Sequence, residues 1–260
     1  MSINKKIPNF NIKYSIHKRF NFLAELVRMV ASGKTPSAII TGAGGLGKTY
    51  TVLQTLNELG LKDVSSYDEF EDDYELARPK KCFRFIKGYS TAKALYKTLY
   101  LNNGATIVFD DCDNILKDKI GINLLKSALD SYDTRILSWR NSLPRKNESL
   151  PSCFEFTGQI IFISNLSLET LPQPLRSRSL CVDVSMTQAQ KFERMEHIIK
   201  QGDFMPEVTR MKKRQALAEL VINKKDIKEL SLRTLVSAVK IRHSTKQWKE
   251  IIYYSLIGQS

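Results

Sequence analysis

Hydrophobic residues recur along the first two thirds of the chain in two patterns that alternate with each other. Apolar positions at helical spacing predict helices at 16–29, 48–59, 90–100 and 122–129. Short runs rich in β-branched and aromatic residues predict strands at 37–41, 82–86, 105–109, 159–164 and 180–184. Strands that alternate with helices are typical of a parallel sheet with helices packed on its faces.

After Thr187 the apolar spacing becomes helical and remains so. The predicted helices of this part lie at 189–201, 206–222, 226–228, 232–242 and 248–257. We therefore predict an α/β fold in which a three-layer parallel-sheet domain is followed by a small all-helical domain. The predicted boundaries are an N-terminal basic helix at 1–34, the α/β domain at 35–186 and the helical domain at 187–260.

A period-two pattern in Arg135–Trp139 and Cys153–Phe156, separated by a polar stretch, predicts a β-hairpin at 135–157. Cations with one aromatic residue suit a nucleic-acid backbone with base stacking. The candidate contact residues are Arg135, Trp139, Arg140, Arg145 and Lys146. A mobile surface loop is the alternative interpretation.

Composition narrows the class of protein. The chain has 260 residues, of which 42% are hydrophobic and 26% charged, as in folded globular proteins. No apolar run approaches the ~18 residues of a membrane span, the first residues lack the apolar core of a signal peptide, and the four cysteines form no metal-binding pattern. We expect a cytoplasmic protein with reduced cysteines and no membrane partner.

Positive charge is concentrated at the two ends of the sequence. The net charge of +13 divides into +6 in residues 1–35 and +7 in residues 191–260, whereas the intervening part is neutral. This asymmetry favours a polyanionic partner, with nucleic acid preferred. A solvated basic surface explains the same composition, and the two remain open at this point.

The segment from Gly42 to Thr49 matches the phosphate-loop motif G-x-x-x-x-G-K-[ST], between a predicted strand and a predicted helix. In this motif the backbone N–H groups bind phosphate, the lysine reaches the β- and γ-phosphates of ATP, and the hydroxyl binds Mg²⁺. The expected nucleotide contacts are Gly42, Ala43, Gly44, Gly45, Leu46, Gly47, Lys48, Thr49 and Tyr50. A flexible glycine turn that precedes Lys-Thr by chance is the alternative.

An acidic pair follows the predicted strand at 105–109. Asp110 and Asp111 come directly after buried apolar residues, as expected of the strand that completes a phosphate-loop site. Asp110 is the expected Mg²⁺ ligand, together with Thr49, and Asp111 is placed to polarise the attacking water. The alternative for this cluster is an acidic helix cap, an interpretation that fits Asp113 better than Asp110.

These motifs together resemble the AAA+ ATPases, ring-forming P-loop ATPases with a helical lid, over residues 15–245. The resemblance implies that Asn165 is the sensor residue that aligns the water with Asp111; a turn residue is the alternative. It implies that Arg178 is an arginine finger, which contacts the ATP of a neighbouring subunit (in trans). Arg176 is the second candidate for this role, and the alternative is that these arginines form surface ion pairs. It also implies that Arg233 contacts the γ-phosphate of the ATP bound by its own subunit (in cis). The alternative is that Arg233 faces solvent at the start of its helix.

The resemblance also implies a function. We expect an ATP hydrolase that acts as a homo-oligomer, hexameric as a ring or spiral, and remodels or loads a nucleic acid or nucleoprotein complex, as minimal virus- or plasmid-encoded members do. The alternative is an ATP-gated scaffold or loader for a protein partner, with slow hydrolysis as a timer, because Asp111 is shorter than the family's usual glutamate. A protein-disassembly chaperone fits less well.

Overall fold

The computed structural model describes residues 13–67, 79–88, 91–139 and 150–258. The helices are α1 (Ile16–Ala31), α2 (Lys48–Glu58), α3 (Ala92–Leu101), α4 (Lys119–Ala128), α5 (Gln173–Arg176), α6 (Gln188–Gln201), α7 (Arg210–Ile222), α8 (Leu232–Ser244) and α9 (Trp248–Ile252). The strands are β1 (Ser37–Thr41), β2 (Lys62–Asp63), β3 (Cys82–Lys87), β4 (Thr106–Asp110), β5 (Ile136–Ser138), β6 (Cys153–Glu155), β7 (Gln159–Ser164) and β8 (Leu180–Asp183).

Six of the described strands form one parallel sheet in the order β2-β3-β4-β7-β1-β8. Strand β7 therefore lies between β4 and β1, and the carboxyl ends of these three strands meet at one edge of the sheet. This order confirms the predicted α/β fold with helices that flank a parallel sheet. It also places the carboxyl end of β1 at the same edge of the sheet as the acidic residue that ends β4.

Burial explains why these segments are strands. All five residues of β1 and all five of β4 are buried, so both faces of the sheet are covered. On one face Ile39, Phe109 and Phe162 share a core with apolar side chains of α3 and α4. The Phe109 and Phe162 rings stack with centroids 5.5 Å apart. The continuous apolar runs of the sequence therefore correspond to strands buried on both sides.

The helices after β8 form a core of their own. Hydrophobic residues of α6, α7, α8 and α9 pack together, among them Met195, Leu220, Leu235, Val239 and Ile252. Capping side chains fix where three of these helices begin: Thr187 and Ser231 form capping boxes, and Thr209 accepts from the Lys212 backbone N–H. The predicted short helix at 226–228 is wrong, because these residues form a turn before α8.

The chain divides into two compact units. The sheet unit comprises the described residues of 18–42 and 48–184, and the helical unit those of 1–17, 43–47 and 185–260. The predicted domain boundaries stay a prediction. Within the described ranges, none of the helices combines the length and the hydrophobicity that crossing a bilayer requires.

Candidate functional site

The glycine loop adopts a conformation that requires glycine. Gly45 and Gly47 have φ angles of 70° and 91°, in the left-handed region that side chains other than glycine rarely adopt. Space is also restricted, because a Cβ atom on Gly45 would lie 2.9 Å from the Ser231 Cβ. The Leu232 backbone N–H donates to the Gly45 carbonyl at 2.8 Å. The loop is therefore packed against the first turn of α8, a contact that the motif did not predict.

Lys48, the first residue of α2, points into the sheet unit rather than into solvent. Its side chain is only 5% exposed. The ammonium donates to the Gly42 carbonyl at 2.7 Å and to Asn165 Oδ1 at 2.9 Å. Lys48 thus connects the beginning of the loop to the residue that follows β7. Tyr50, two positions further along α2, is 64% exposed.

Thr49 and Asp110 form the second connection between α2 and the sheet. The Thr49 hydroxyl donates to Asp110 Oδ2 at 3.0 Å. Asp110 is only 3% exposed, and this burial raises the pKa of its carboxyl group above the ordinary value. The neighbouring Asp111 charge also raises it, whereas the Thr49 hydrogen bond and the Lys87 and Lys48 charges oppose the shift.

The raised pKa of Asp110 predicts a measurable dependence of stability on pH. The folded state holds the Asp110 proton more tightly than the unfolded chain, so stability falls as pH rises from the ordinary aspartate pKa of about 3.9 through the raised value. We expect Asp110→Asn to raise the melting temperature in Mg²⁺-free buffer at pH 7. The gain should shrink as the pH falls below about 4.

The measurement is thermal unfolding across this pH range, with Asp133→Asn as the matched control. Asp133 is exposed, so its substitution removes the same charge without removing a buried carboxylate. A melting temperature of Asp110→Asn below that of the wild type at every pH would contradict the expectation.

Asp111 adopts a left-handed backbone conformation immediately after β4. Its φ angle is 55°, and its backbone N–H donates to the Ile163 carbonyl at 3.1 Å. Aspartate and asparagine tolerate this conformation better than most residues. Asn165 Nδ2 donates to Asp111 Oδ1 at 2.6 Å, so the predicted sensor and the predicted water-polarising residue are in direct contact. Both side chains are exposed.

A further pair of residues supports this arrangement and was missed by the sequence interpretation. The Ser164 hydroxyl, which is fully buried, donates to Asp113 Oδ1 at 2.6 Å. The helix-cap alternative for Asp113 is wrong, because Asp118 caps α4 by accepting from the backbone N–H groups of Ile120 and Gly121. Asp113 instead attaches the segment after β4 to the residue that precedes Asn165.

Cys112, between these aspartates, does not supply a reactive thiol. It is 3% exposed, and burial together with the nearby Asp110 and Asp113 charges raises its pKa to about 11. A thiol with such a pKa stays protonated at neutral pH and is a poor nucleophile. The carboxylates are therefore the candidate functional groups of this segment.

The candidate arginines belong to different compact units: Arg176 and Arg178 to the sheet unit, and Arg233 to the helical unit. Arg178 is half-buried and donates from Nη1 to the Pro174 carbonyl at 3.1 Å. The Nε atoms of Arg178 and Arg176 are buried and form no hydrogen bond within the described part of the chain. Arg233 is exposed, and its Cγ lies 3.7 Å from the position that a Cβ on Gly45 would take.

Arg135, at the start of the predicted hairpin, is engaged inside the sheet unit. Strands β5 and β6 pair in antiparallel orientation. The Arg135 guanidinium donates to the carbonyls of Ala128 and Gly158 at 2.8 and 2.9 Å, and burial lowers its pKa. Trp139 packs 5.9 Å from the Tyr96 ring, measured between centroids. The other candidates, Arg140, Arg145 and Lys146, lie outside the described residues.

The side chains at this edge of the sheet fit a magnesium nucleotide. A hydroxyl and a buried carboxylate, from Thr49 and Asp110, are the hard oxygen ligands that Mg²⁺ prefers. Lys48 supplies an ammonium at the start of α2, where backbone N–H groups and the helix dipole favour an anion. Asp111, held by Asn165, supplies an exposed carboxylate that can accept a proton or orient water.

No protein-family model matches the chain. Among solved structures, that of C. elegans PCH-2 is similar over 92% of this chain and 68% of that chain, with a TM-score of 0.44 and 11% sequence identity. The sequence is also similar to the "Uncharacterized 36.7 kDa protein in nrdC-mobD intergenic region" of Enterobacteria phage T4. The two are 30% identical over 258 residues, which cover 93% of this chain and 74% of the phage protein. At this identity and coverage the chain belongs to the family of that phage T4 protein.

Proposed function

We propose that this protein is a P-loop ATPase of the AAA+ type that hydrolyses ATP to remodel or load a nucleic acid or nucleoprotein complex. One observation carries the ATPase part of the proposal. Lys48, Asn165 and Asp111 form a continuous chain of hydrogen bonds from the end of the glycine loop to the carboxyl ends of β7 and β4. The Asn165 amide therefore holds the proposed phosphate-binding residue, Lys48, on one side and the candidate base, Asp111, on the other.

Each residue then has a distinct task in hydrolysis. The backbone of the loop and Lys48 bind the β- and γ-phosphates of ATP, which places the terminal phosphoryl group for attack. Asp111 polarises the attacking water, and Asn165 holds the Asp111 carboxylate in place. Mg²⁺, held by Thr49 and Asp110, neutralises charge on the phosphates when it is bound.

The arginines complete the proposal with contacts that need an assembled oligomer or a bound nucleotide. Arg178 acts in trans on the ATP of a neighbouring subunit in a hexameric ring or spiral, as the resemblance to AAA+ proteins implies. Its guanidinium donates to the Pro174 carbonyl here, and its Nε atom is buried without a hydrogen bond, so it must leave this turn to reach a neighbour. Arg233 acts in cis from the start of α8.

The second candidate function is an ATP-gated loader for a protein partner, in which slow hydrolysis serves as a timer. Asp111 favours this function, because its side chain is one methylene shorter than the glutamate usual in AAA+ proteins. A carboxylate that lies farther from the attacking water is expected to slow hydrolysis. The left-handed φ of 55° supplies a physical reason for aspartate at this position.

Turnover in the presence of different polymers distinguishes the two functions. We expect ATP hydrolysis to rise at least several-fold with DNA or RNA and this stimulation to weaken as salt is raised, because cation–phosphate contacts release counterions. The measurement is phosphate release with single-stranded DNA, double-stranded DNA and RNA at two salt concentrations. Hydrolysis that no nucleic acid changes would contradict the remodelling function and favour the protein loader.

A further inference from the structure

Three successive segments of the helical unit carry basic side chains, and those of α7 and α8 meet at its surface. At the start of α7, Lys212 Nζ lies 3.4 Å from Nδ1 of His243, near the end of α8. The adjacent Arg242 donates from Nε to Gln215 Oε1 at 2.9 Å. We call the basic patch the set Lys212, Arg242, His243, Lys246 and Lys249.

Trp248, at the start of α9, contacts two of these cations through its ring. The Arg242 guanidinium lies 4.9 Å from the centre of the Trp248 ring, and Lys249 Nζ lies 5.5 Å from it. Both distances are within the range of cation–π attraction. Lys246 is in the turn between α8 and α9, and Lys246, Lys249 and His243 are exposed. The patch therefore combines basic side chains with a half-buried aromatic ring that two of them contact.

The cations of the basic patch form no ion pairs within the described ranges. There, the ion pairs within 4 Å are His17–Glu193, Arg28 with Glu25 and Glu58, and Lys200–Glu196. Although Glu250 follows Lys249 in the chain, the patch carries more positive than negative charge, which raises the local concentration of an anionic partner. This patch accounts for part of the net charge of +7 that residues 191–260 carry.

Helix stability does not explain the position of Lys212. The first turn of α7 contains no acidic residue, and it carries Arg210, Lys212 and Lys213 at the positive end of the helix dipole. Cations at that end destabilise a helix, whereas Arg242 and His243 in the last turn of α8 stabilise theirs. Lys212 thus sits at an unfavourable end of its helix, an arrangement that an external anion would relieve.

We propose that the basic patch binds the phosphate backbone of a nucleic acid strand. Several fixed cations beside an aromatic ring are typical of surfaces that follow a sugar–phosphate backbone. An anionic membrane fits less well, because surface-binding helices present one amphipathic face, whereas these cations come from three segments of the chain. This inference rests on the nucleic-acid part of the proposed function and does not require ATP hydrolysis.

The test compares two variants with the same loss of charge. The patch variant is Lys212→Gln/Lys246→Gln/Lys249→Gln, which leaves Arg242 and Trp248 intact to preserve folding. The matched control is Lys224→Gln/Lys225→Gln/Lys228→Gln, which removes three exposed lysines from the same unit. Binding to fluorescein-labelled single-stranded DNA of about 20 nucleotides, longer than typical sites of about 4–16, is measured by anisotropy without nucleotide and over a range of salt.

We expect the patch variant to bind on the order of 10–100-fold more weakly than the control near 0.1 M salt. Its salt slope should fall by about 2, since each lost phosphate contact removes about 0.7 for a single strand. A patch variant that binds like the control, while Arg145→Gln/Lys146→Gln loses affinity, would overturn this inference and retain the nucleic-acid function. Wild type that binds phosphatidylserine vesicles but neither DNA nor RNA would overturn both.

Basal ATP turnover separates these outcomes from the ATPase assignment. The patch residues lie outside the proposed catalytic set, so the patch variant should hydrolyse ATP at the wild-type rate when no nucleic acid is present. A patch variant that keeps this rate and loses nucleic-acid binding supports the inference. A basal rate reduced as strongly as DNA binding would show a structural defect instead and would overturn it.

Discussion

Replacing Lys48 by alanine is expected to reduce ATP turnover by about 10²–10³-fold or more. The substitution removes a preorganised positive charge from the β- and γ-phosphates, where negative charge develops during phosphoryl transfer. It also removes the hydrogen bonds from the ammonium to the Gly42 carbonyl and to Asn165 Oδ1. The substitution therefore removes the lysine contact of the glycine loop, that of Asn165 and that of the transferred phosphoryl group at once.

The control for this variant is Lys62→Ala, which removes an exposed lysine from β2 of the same unit. Phosphate release should be unchanged in Lys62→Ala, and far-ultraviolet circular dichroism should show that both variants are folded. Turnover by Lys48→Ala within a few-fold of the wild type would mean that the nucleotide site is assigned wrongly.

The Asp111→Asn variant is expected to bind ATP normally but to hydrolyse it about 10²–10⁴-fold more slowly. Asparagine tolerates the left-handed φ of 55°, and its amide oxygen can still accept the hydrogen bond from Asn165 Nδ2. The change therefore removes the ability to accept a proton and keeps the local geometry. We expect the variant to accumulate as an ATP-bound oligomer.

Asp111→Glu serves as the comparison, because it keeps the carboxylate and lengthens the side chain. Two effects oppose each other in it: glutamate is the usual residue in AAA+ proteins, but it is less suited to a left-handed backbone than aspartate. Activity in Asp111→Glu well above that of Asp111→Asn is the expected result. Loss of ATP binding in Asp111→Asn would show that Asp111, rather than Asp110, is the magnesium ligand.

The sequence predicted the central strands well for a simple physical reason. Strands β1, β4 and β7 are buried on both faces, so nearly every residue in them is apolar and their pattern is distinct from that of a half-exposed helix. Strand β2 was missed, because its two residues, Lys62 and Asp63, are exposed and pair with β3 through backbone atoms only. The parallel order of the sheet follows from the alternation of strands and helices.

The candidate site was predictable where one contiguous motif defines it. Lys48 and Thr49 belong to such a motif, and Asp110 follows an unmistakable apolar strand. The Ser164–Asp113 hydrogen bond was not predictable, since it joins residues 51 positions apart and Asp113 looks like a local helix cap. Arg135 shows the same limit, because its partners, the carbonyls of Ala128 and Gly158, approach it only in the folded chain.

The basic patch illustrates what net charge alone leaves open. Residues 191–260 carry an excess of positive charge, but the sequence does not show that Lys212 and His243, from opposite ends of two helices, lie 3.4 Å apart. Antiparallel packing of α7 and α8 creates that proximity. Part of the excess of basic residues therefore forms a defined surface, whose binding to nucleic acid can be tested.

The central claim is that the chain binds and hydrolyses ATP at the site formed by the glycine loop and the carboxyl ends of β4 and β7. It is tested most directly by phosphate release from Mg·ATP, measured on the wild type, Lys48→Ala and Asp111→Asn at equal protein concentration. We predict turnover by the wild type alone, dependent on Mg²⁺. Equal rates in all three proteins, or a wild type that releases no phosphate, would contradict the assignment.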